Sequence, residues 1–381
     1  MRILHLSADY PDPLQPAKTR AISNLLALAD GREHRVVSLN RVGWRAGIEA
    51  LDFADGAGEG HRAVAYGAPP KGLFHERYLL RLADWIAADC EAAGWRPDLI
   101  HAHKLSVEGL AAAALARRWG VPLMLTLQGD SDLRIVAAKR DLRARYAEIW
   151  REAAVIFAFA PWTTERMAAL LGPRQGPARL LPCPILADAP QAPKRGSTTI
   201  VSAFHFASAG RKNAAALIRA VGRAGKAIPA LRLDLLGGGD PAAFAALAKL
   251  ARAAAPGRVR FLGAVPNTEV ARRLNEAAAF ALVSKRESFG MVFSEALLAG
   301  APCLIPKGWG IDGWFEEGSV VVSADPMDDA AIEAGLVRLV RDEVAFKDRL
   351  AALGETGGLE PLRRPAIRAA YLEALEAAAR R

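Results

Sequence analysis

Only three cysteines, Cys90, Cys183 and Cys303, occur in 381 residues, too few and too far apart for a disulfide framework or a thiolate metal site. They read as buried thiols of a cytoplasmic protein. No run reaches the roughly 18 apolar residues expected of a membrane-spanning helix, and Met1 to Ser7 lead directly into a strand pattern without the apolar core of a signal peptide. Zinc-finger spacing and RNA-binding strand signatures are also missing, and the basic residues are mixed with Asp and Glu, so nucleic acid is set aside as a partner. The run Gly237-Gly238-Gly239 lacks both the G-x-G-x-x-G spacing and the first-strand setting of a dinucleotide fingerprint. What remains is a formal charge of +9, which suits an anionic partner, either a nucleotide substrate or an anionic membrane surface.

The chain is long enough for two cores, and apolar strand patterns alternate repeatedly with helix patterns, which predicts α/β layers. Residues 1–190 read as one domain and 191–360 as a second, with 361–381 a terminal helix. The stretch 187–197, rich in Pro, Ala, Gly and charge, serves as the linker. Trp44 to Gly60 has weak periodicity and reads as a loop excursion. The segment Lys139 to Arg151 reads as a basic helix whose apolar residues, Leu142, Tyr146, Ile149 and Trp150 among them, either pack inside the domain or rest on a membrane. Helices are also expected around 329–341 and 361–379.

The most informative stretch runs from Ala279 to Ile305. A strand pattern enters a loop ending in Phe289-Gly290, an apolar helix follows, and Pro302 to Ile305 form the next strand. At the C-terminal edge of a parallel sheet, such a loop borders a ligand crevice. Glu287 in the loop and Glu295 in the helix can accept hydrogen bonds from hydroxyls. First-turn amides around Phe289, Gly290, Met291 and Val292 can receive an anionic oxygen. A ligand with several hydroxyls and a phosphate matches that mixture.

The segment from Glu287 to Ala296, with two glutamates around Phe289-Gly290 and Leu297 to Pro302 following, resembles the signature of the retaining glycosyltransferases of the GT-B fold, glycosyltransferase family 4 group. The resemblance extends over nearly the whole chain. It implies two Rossmann-like domains with parallel sheets facing across a cleft, residues 1–190 on the acceptor side and 191–360 holding the nucleotide-sugar donor, with the helix 361–381 crossing back to the N-terminal domain. It further implies a retaining transfer from a UDP- or GDP-sugar to a glycan or lipid-linked acceptor, in bacterial cell-envelope, lipopolysaccharide or exopolysaccharide assembly. No tightly bound cofactor and no metal are implied, and the enzyme would be cytoplasmic, peripheral on the inner face of the plasma membrane. In the second domain the resemblance gives Lys212 the diphosphate, Glu287 the donor-sugar hydroxyls, Glu295 the ribose and Val265 the base. In the first it makes His103 the cleft-facing histidine, with His101 packed inside.

Three departures from the family pattern stand out. Gln128 occupies a position where many members carry histidine; it can orient a hydroxyl or the departing phosphate but cannot act as a general base. Ala207 replaces an arginine, leaving Arg211 or His205 to supply its charge. Ala17-Lys18-Thr19 replaces paired glycines, so Lys18 either brings charge toward the donor phosphates or is part of a plain solvated helix start. Asp130 and Asp132 either position acceptor hydroxyls or cap turns. The resemblance makes the Lys307 to Trp314 loop, with Gly308, Gly310 and Gly313, either a presenter of backbone amides with a stacking surface at Trp309 or a purely structural tight loop. Rival readings on the same architecture are a nucleotide-sugar hydrolase or epimerase, and an inactive nucleotide-sugar-binding subunit.

Overall fold

The computed structural model describes residues 1–53, 60–176 and 178–380. The chain forms two compact units, one of Met1–Pro184 with Arg364–Arg381 and the other of Ile185–Arg363.

In the first unit the strands are β1 (Arg2–Ser7), β2 (Glu33–Val42), β3 (Ile48–Asp52), β4 (Arg62–Gly67), β5 (Leu99–Ala102), β6 (Leu123–Leu127), β7 (Val155–Ala158) and β8 (Ala178–Leu180). They form one sheet in the order β3-β4-β2-β1-β5-β6-β7-β8. Among the described residues β3 alone runs antiparallel. That strand corrects the loop expected from Trp44 to Gly60, whose residues 54–59 lie outside the described residues. Strands β1, β5, β6 and β7 are buried almost throughout, which is why they read as continuous apolar runs rather than alternating ones. Two histidines interrupt the apolar centre, and the β1–β5 register sets His5 opposite His101.

The terminal helix, Arg364–Ala379, belongs to this first unit. Ile367, Tyr371, Ala374 and Leu375 recur at the spacing of one helical face and pack in the same core as Ile3, Met124 and Phe157. The tail therefore completes a core begun by residues more than 200 positions earlier. The apolar face between Lys139 and Arg151 is interior too. Leu142, Tyr146, Ile149 and Trp150 are buried, Tyr146 donates to the Ser106 carbonyl at 2.9 Å, and Trp150 Nε1 donates to the Gly172 carbonyl at 3.0 Å. That face is unavailable to a membrane. No described helix is long and apolar enough to cross one.

The second unit contains β9 (Thr199–Ala203), β10 (Arg232–Leu236), β11 (Val259–Gly263), β12 (Ala279–Ala281), β13 (Cys303–Pro306) and β14 (Val321–Ala324). Their order is β11-β10-β9-β12-β13-β14, and all pairs are parallel. The chain builds outward from β9 to β11, returns to the centre, and builds the other way from β12. The reversal parts the loops after β9 and β12, opening the crevice where parallel sheets take ligands. A helix at Glu343–Glu355 joins the expected one at Asp329–Arg341.

Candidate functional site

The loops leaving β9 and β12 carry Lys212 and Glu287. Asn213, at φ 57°, turns the chain sharply before the helix Ala214–Ala227, a left-handed conformation that asparagine tolerates better than most residues. Its side chain donates to the Pro326 carbonyl at 2.7 Å, so the turn is held from outside. Lys285 N donates to the Arg211 carbonyl at 2.9 Å, tying the two loops together. Lys212 Nζ consequently forms an ion pair and hydrogen bond with Glu287 Oε2. Arg211 lies 3.7 Å from Glu287 Oε1, and Ser284 Oγ donates to Oε2 at 3.0 Å. His205 instead caps a short turn, its Nδ1 accepting from Ala207 N at 3.3 Å, and sits over Gly239. Of the two alternatives for the charge missing at Ala207, Arg211 is the one beside Glu287.

Glu287 is buried, whereas Glu295, on the helix Met291–Leu298, has no hydrogen-bond or ion-pair partner among the described residues. Burial without a partner raises its pKa above the ordinary glutamate value. The helix N-terminus carries no side-chain cap; Phe293 N donates to the Gly290 carbonyl at 2.9 Å, and the amides before it lack an intrahelical acceptor. Gly290 precedes it at φ 75°, and a Cβ there would lie 2.8 Å from the Phe293 ring, so glycine satisfies both the left-handed turn and the close approach. Val265, half-buried, follows β11 at the same edge of the sheet. One unit thus brings two cations, two carboxylates and an uncapped helix start together.

The glycine loop after β13 fits the tight structural loop of the two readings. Gly308 N donates to Asp312 Oδ2 at 2.6 Å, Trp309 N to the Pro306 carbonyl at 3.1 Å, and Gly310 N to the Glu287 carbonyl at 3.1 Å. These amides are used within the protein, bracing the Glu287 loop. A Cβ at Gly310 would stand 3.1 Å from the Phe293 ring.

In the first unit, Lys18 and Asp132 are held by partners within the protein. Lys18 Nζ donates to Asp12 Oδ2 at 2.7 Å, to Ser38 Oγ at 3.0 Å and to the Leu39 carbonyl at 3.2 Å, so its charge is neutralised inside the sheet edge. Asp132 is fully buried and accepts from Leu105 N at 3.0 Å and Ser106 N at 2.7 Å. It fixes the loop after β5 rather than an acceptor. Asp130 pairs with Arg134 at 3.7 Å. Gln128 is buried beyond β6, its Nε2 lacking a partner among the described residues, an arrangement costly enough to suit a donor reserved for a ligand.

The resemblance makes His103 the cleft-facing histidine and packs His101 inside; both are fully buried in the first unit. They join a histidine relay that spacing along the sequence could not reveal, because it depends on strand register. His34 Nε2 is 3.0 Å from the Ala29 carbonyl, which can only accept, so that nitrogen carries the proton. His34 Nδ1 therefore accepts from His5 Nε2 at 2.8 Å, and His5 Nδ1 accepts from His103 Nε2 at 3.2 Å. Neutral rings are what burial favours: His5 and His103 are held well below the usual imidazole value, and His101 falls to about 3. His103 Nδ1 is left as a bare, buried acceptor without a partner among the described residues. His101 is held by Thr126 Oγ1 at 2.7 Å and the Tyr371 hydroxyl at 3.1 Å. Ring nitrogens of His5, His101 and His103 lie within 4.8 Å of one another, the spacing of a three-imidazole metal set, yet hydrogen bonds already occupy both nitrogens of His5 and of His101.

Comparison with known proteins gives two consecutive matches. Residues 19–184 match the glycosyl transferase 4-like domain, and residues 191–357 match glycosyl transferases group 1. A glycogen synthase of Mycobacterium tuberculosis is 27% identical over 378 residues, covering 92% of this chain and 88% of the relative. Among solved structures, sucrose-phosphate synthase from Thermosynechococcus elongatus superposes with TM-score 0.71 at 18% identity, covering 99% of this chain and 98% of its own. Anabaena Alr3699/HepE in complex with UDP gives 0.68 at 15%, covering 99% and 100%. At such identities the structural likenesses establish the GT-B fold.

Proposed function

Since the chain belongs to the glycosyltransferases of GT-B fold and family 4 type, we propose that it moves a sugar, with retention, from a nucleotide-diphosphate sugar to an acceptor hydroxyl. The observation that carries this reading is the pairing of Lys212, Arg211 and Glu287 beside the uncapped start of the helix Met291–Leu298, which carries the unpaired Glu295. Lys212, Arg211 and the amides from Phe289 to Val292 take the diphosphate, whose negative charge grows as it leaves. Glu287 holds donor-sugar hydroxyls, Glu295 the ribose, and Val265 packs on the base. His103, with its bare Nδ1, and Gln128, with its unpartnered Nε2, offer one acceptor and one donor to sugar or phosphate oxygens. UDP is favoured over GDP by the UDP-bound neighbour.

In the chemical step the bond from the anomeric carbon to the diphosphate oxygen breaks, with its electron pair leaving on that oxygen. The acceptor oxygen attacks from the same face, and its proton passes to the departing phosphate. No protein nucleophile is consumed. The acceptor is a glycan or lipid-linked sugar of the bacterial cell envelope, reached by a cytoplasmic enzyme resting on the anionic inner membrane.

Incubating the protein with UDP- and GDP-sugars, with and without glycan and glycolipid acceptors, tests this. Donor consumption should require an acceptor, product NMR should show the donor's anomeric configuration, and intact mass should show no sugar attached to the protein. Inversion, acceptor-independent hydrolysis or a covalent sugar adduct would refute it.

A further inference from the structure

A cavity of about 890 Å³ opens in the first unit, where the ends of β2 and β4 meet the turn before the helix His75–Ala92 and the helix Asp130–Ala138. Its volume falls within the roughly 300–1,000 Å³ of small-molecule sites. Leu39, Tyr66, Leu79, Val107 and Ile135 make its walls apolar, while Arg41, Lys71, Arg134 and Lys139 also line it and no carboxylate does. Arg41 and Lys71 are exposed and have no ion-pair partner among the described residues. A chamber that is greasy inside and positive at its edges is complementary to a molecule with an apolar tail and an anionic head.

The turn at its mouth strengthens that reading. Lys71 and Phe74 adopt φ of 55° and 53°, left-handed conformations that non-glycine residues occupy at a cost. Lys139 Nζ clamps the turn by donating to the carbonyls of Lys71 at 3.2 Å and Gly72 at 2.5 Å. The clamped turn holds Leu73 and Phe74 outward, 58% and 62% exposed. Large apolar side chains fixed in water beside an apolar chamber with a basic rim are what a site needs to take a chain out of a lipid surface.

We infer that this cavity binds the lipid tail of a phosphorylated, lipid-linked acceptor, with the phosphate met by Arg41 and Lys71 and the tail lying against Tyr66, Leu79 and Ile135. The inference rests on the reading of the first unit as the acceptor side, and it narrows the acceptor to an anionic amphiphile. Binding can be measured without turnover, so its failure is distinguishable from failure of the transferase reading.

The experiment titrates the full-length protein with dodecyl phosphate below its micellar concentration, with a neutral dodecyl glycoside and with inorganic phosphate. Dodecyl phosphate should bind at one site, at least about tenfold more tightly than either other probe, a difference of about 1.4 kcal/mol. The double variant Arg41→Glu/Lys71→Glu, altered at two exposed positions, should lose at least about tenfold of that affinity, while nucleoside-diphosphate binding in the second unit reports an intact protein. Leu73→Asp with Phe74→Asp should reduce recruitment to vesicles containing phosphatidylglycerol. Equal binding of inorganic phosphate and dodecyl phosphate, no binding of dodecyl phosphate, undiminished affinity in the charge-reversed variant, or undiminished vesicle recruitment of the Asp variant would overturn the inference.

Discussion

Replacing Glu287 by glutamine is expected to lower sugar transfer by about 10²–10³-fold, the range seen when one preorganised electrostatic contact is removed from an active site. The substitution keeps the shape of the side chain and removes its charge. Lys212 then loses its carboxylate partner, and the donor-sugar hydroxyls lose an ionised acceptor, whose hydrogen bonds are about twice as strong as neutral ones. The loss should fall on kcat as well as kcat/KM, because the glutamate also sets the position of the lysine that faces the growing phosphate charge. Glu295→Gln should behave differently, raising donor KM with a smaller change in kcat, since a ribose contact is made equally in ground and transition states. Steady-state rates with each variant, set beside their thermal midpoints, check both expectations. Wild-type transfer in the Glu287 variant would remove that residue from the site.

Acidification to pH 5 should destabilise the first unit. Six of the seven histidines lie in the first unit, and His5, His101 and His103 are fully buried as neutral rings with lowered pKa values. A lowered folded-state pKa gives stability that is present above the unfolded value near 6.5 and is lost as pH falls toward the folded value. His61, lowered to about 4, and the lowered His34 and His75 act in the same sense. Glu108, which burial pushes up to about 7, and Asp132, also raised by burial, act in the opposite sense, because each binds its proton more readily when folded. The histidines outnumber them, so in scanning calorimetry the first unit's transition should fall between pH 7.5 and 5. The second unit, which holds only exposed His205, should move little.

The sequence shows some of these features and hides others for identifiable reasons. Segment-local chemistry is legible: the spacing of Glu287, Gly290 and Glu295 places a loop carboxylate and a helix carboxylate around one helix start, and that is where they lie. The α/β class follows from alternation of strand and helix patterns, whereas β3, whose polar antiparallel pairing carries no strong apolar signal, is hidden. Contacts between distant segments are hidden. Asp132 read as either a hydroxyl partner or a turn cap, because nothing in its neighbourhood shows that two backbone amides near residue 105 need an acceptor. Lys18 read as either a phosphate contact or a solvated helix start, because its partners, Asp12 and Ser38, converge only when the first loop folds over β2. The histidine relay needs the register of β1 against β5, which no single strand encodes.

Titrating UDP and GDP into wild-type protein and into Lys212→Ala by calorimetry tests the central claim most directly. One of the two diphosphates should bind the wild type at a single site, and the variant should lose about 10–100-fold in affinity, the loss expected for a charge-assisted phosphate contact. Equal affinity of the two proteins, or no diphosphate binding by either, would contradict a donor site built on Lys212 and Glu287.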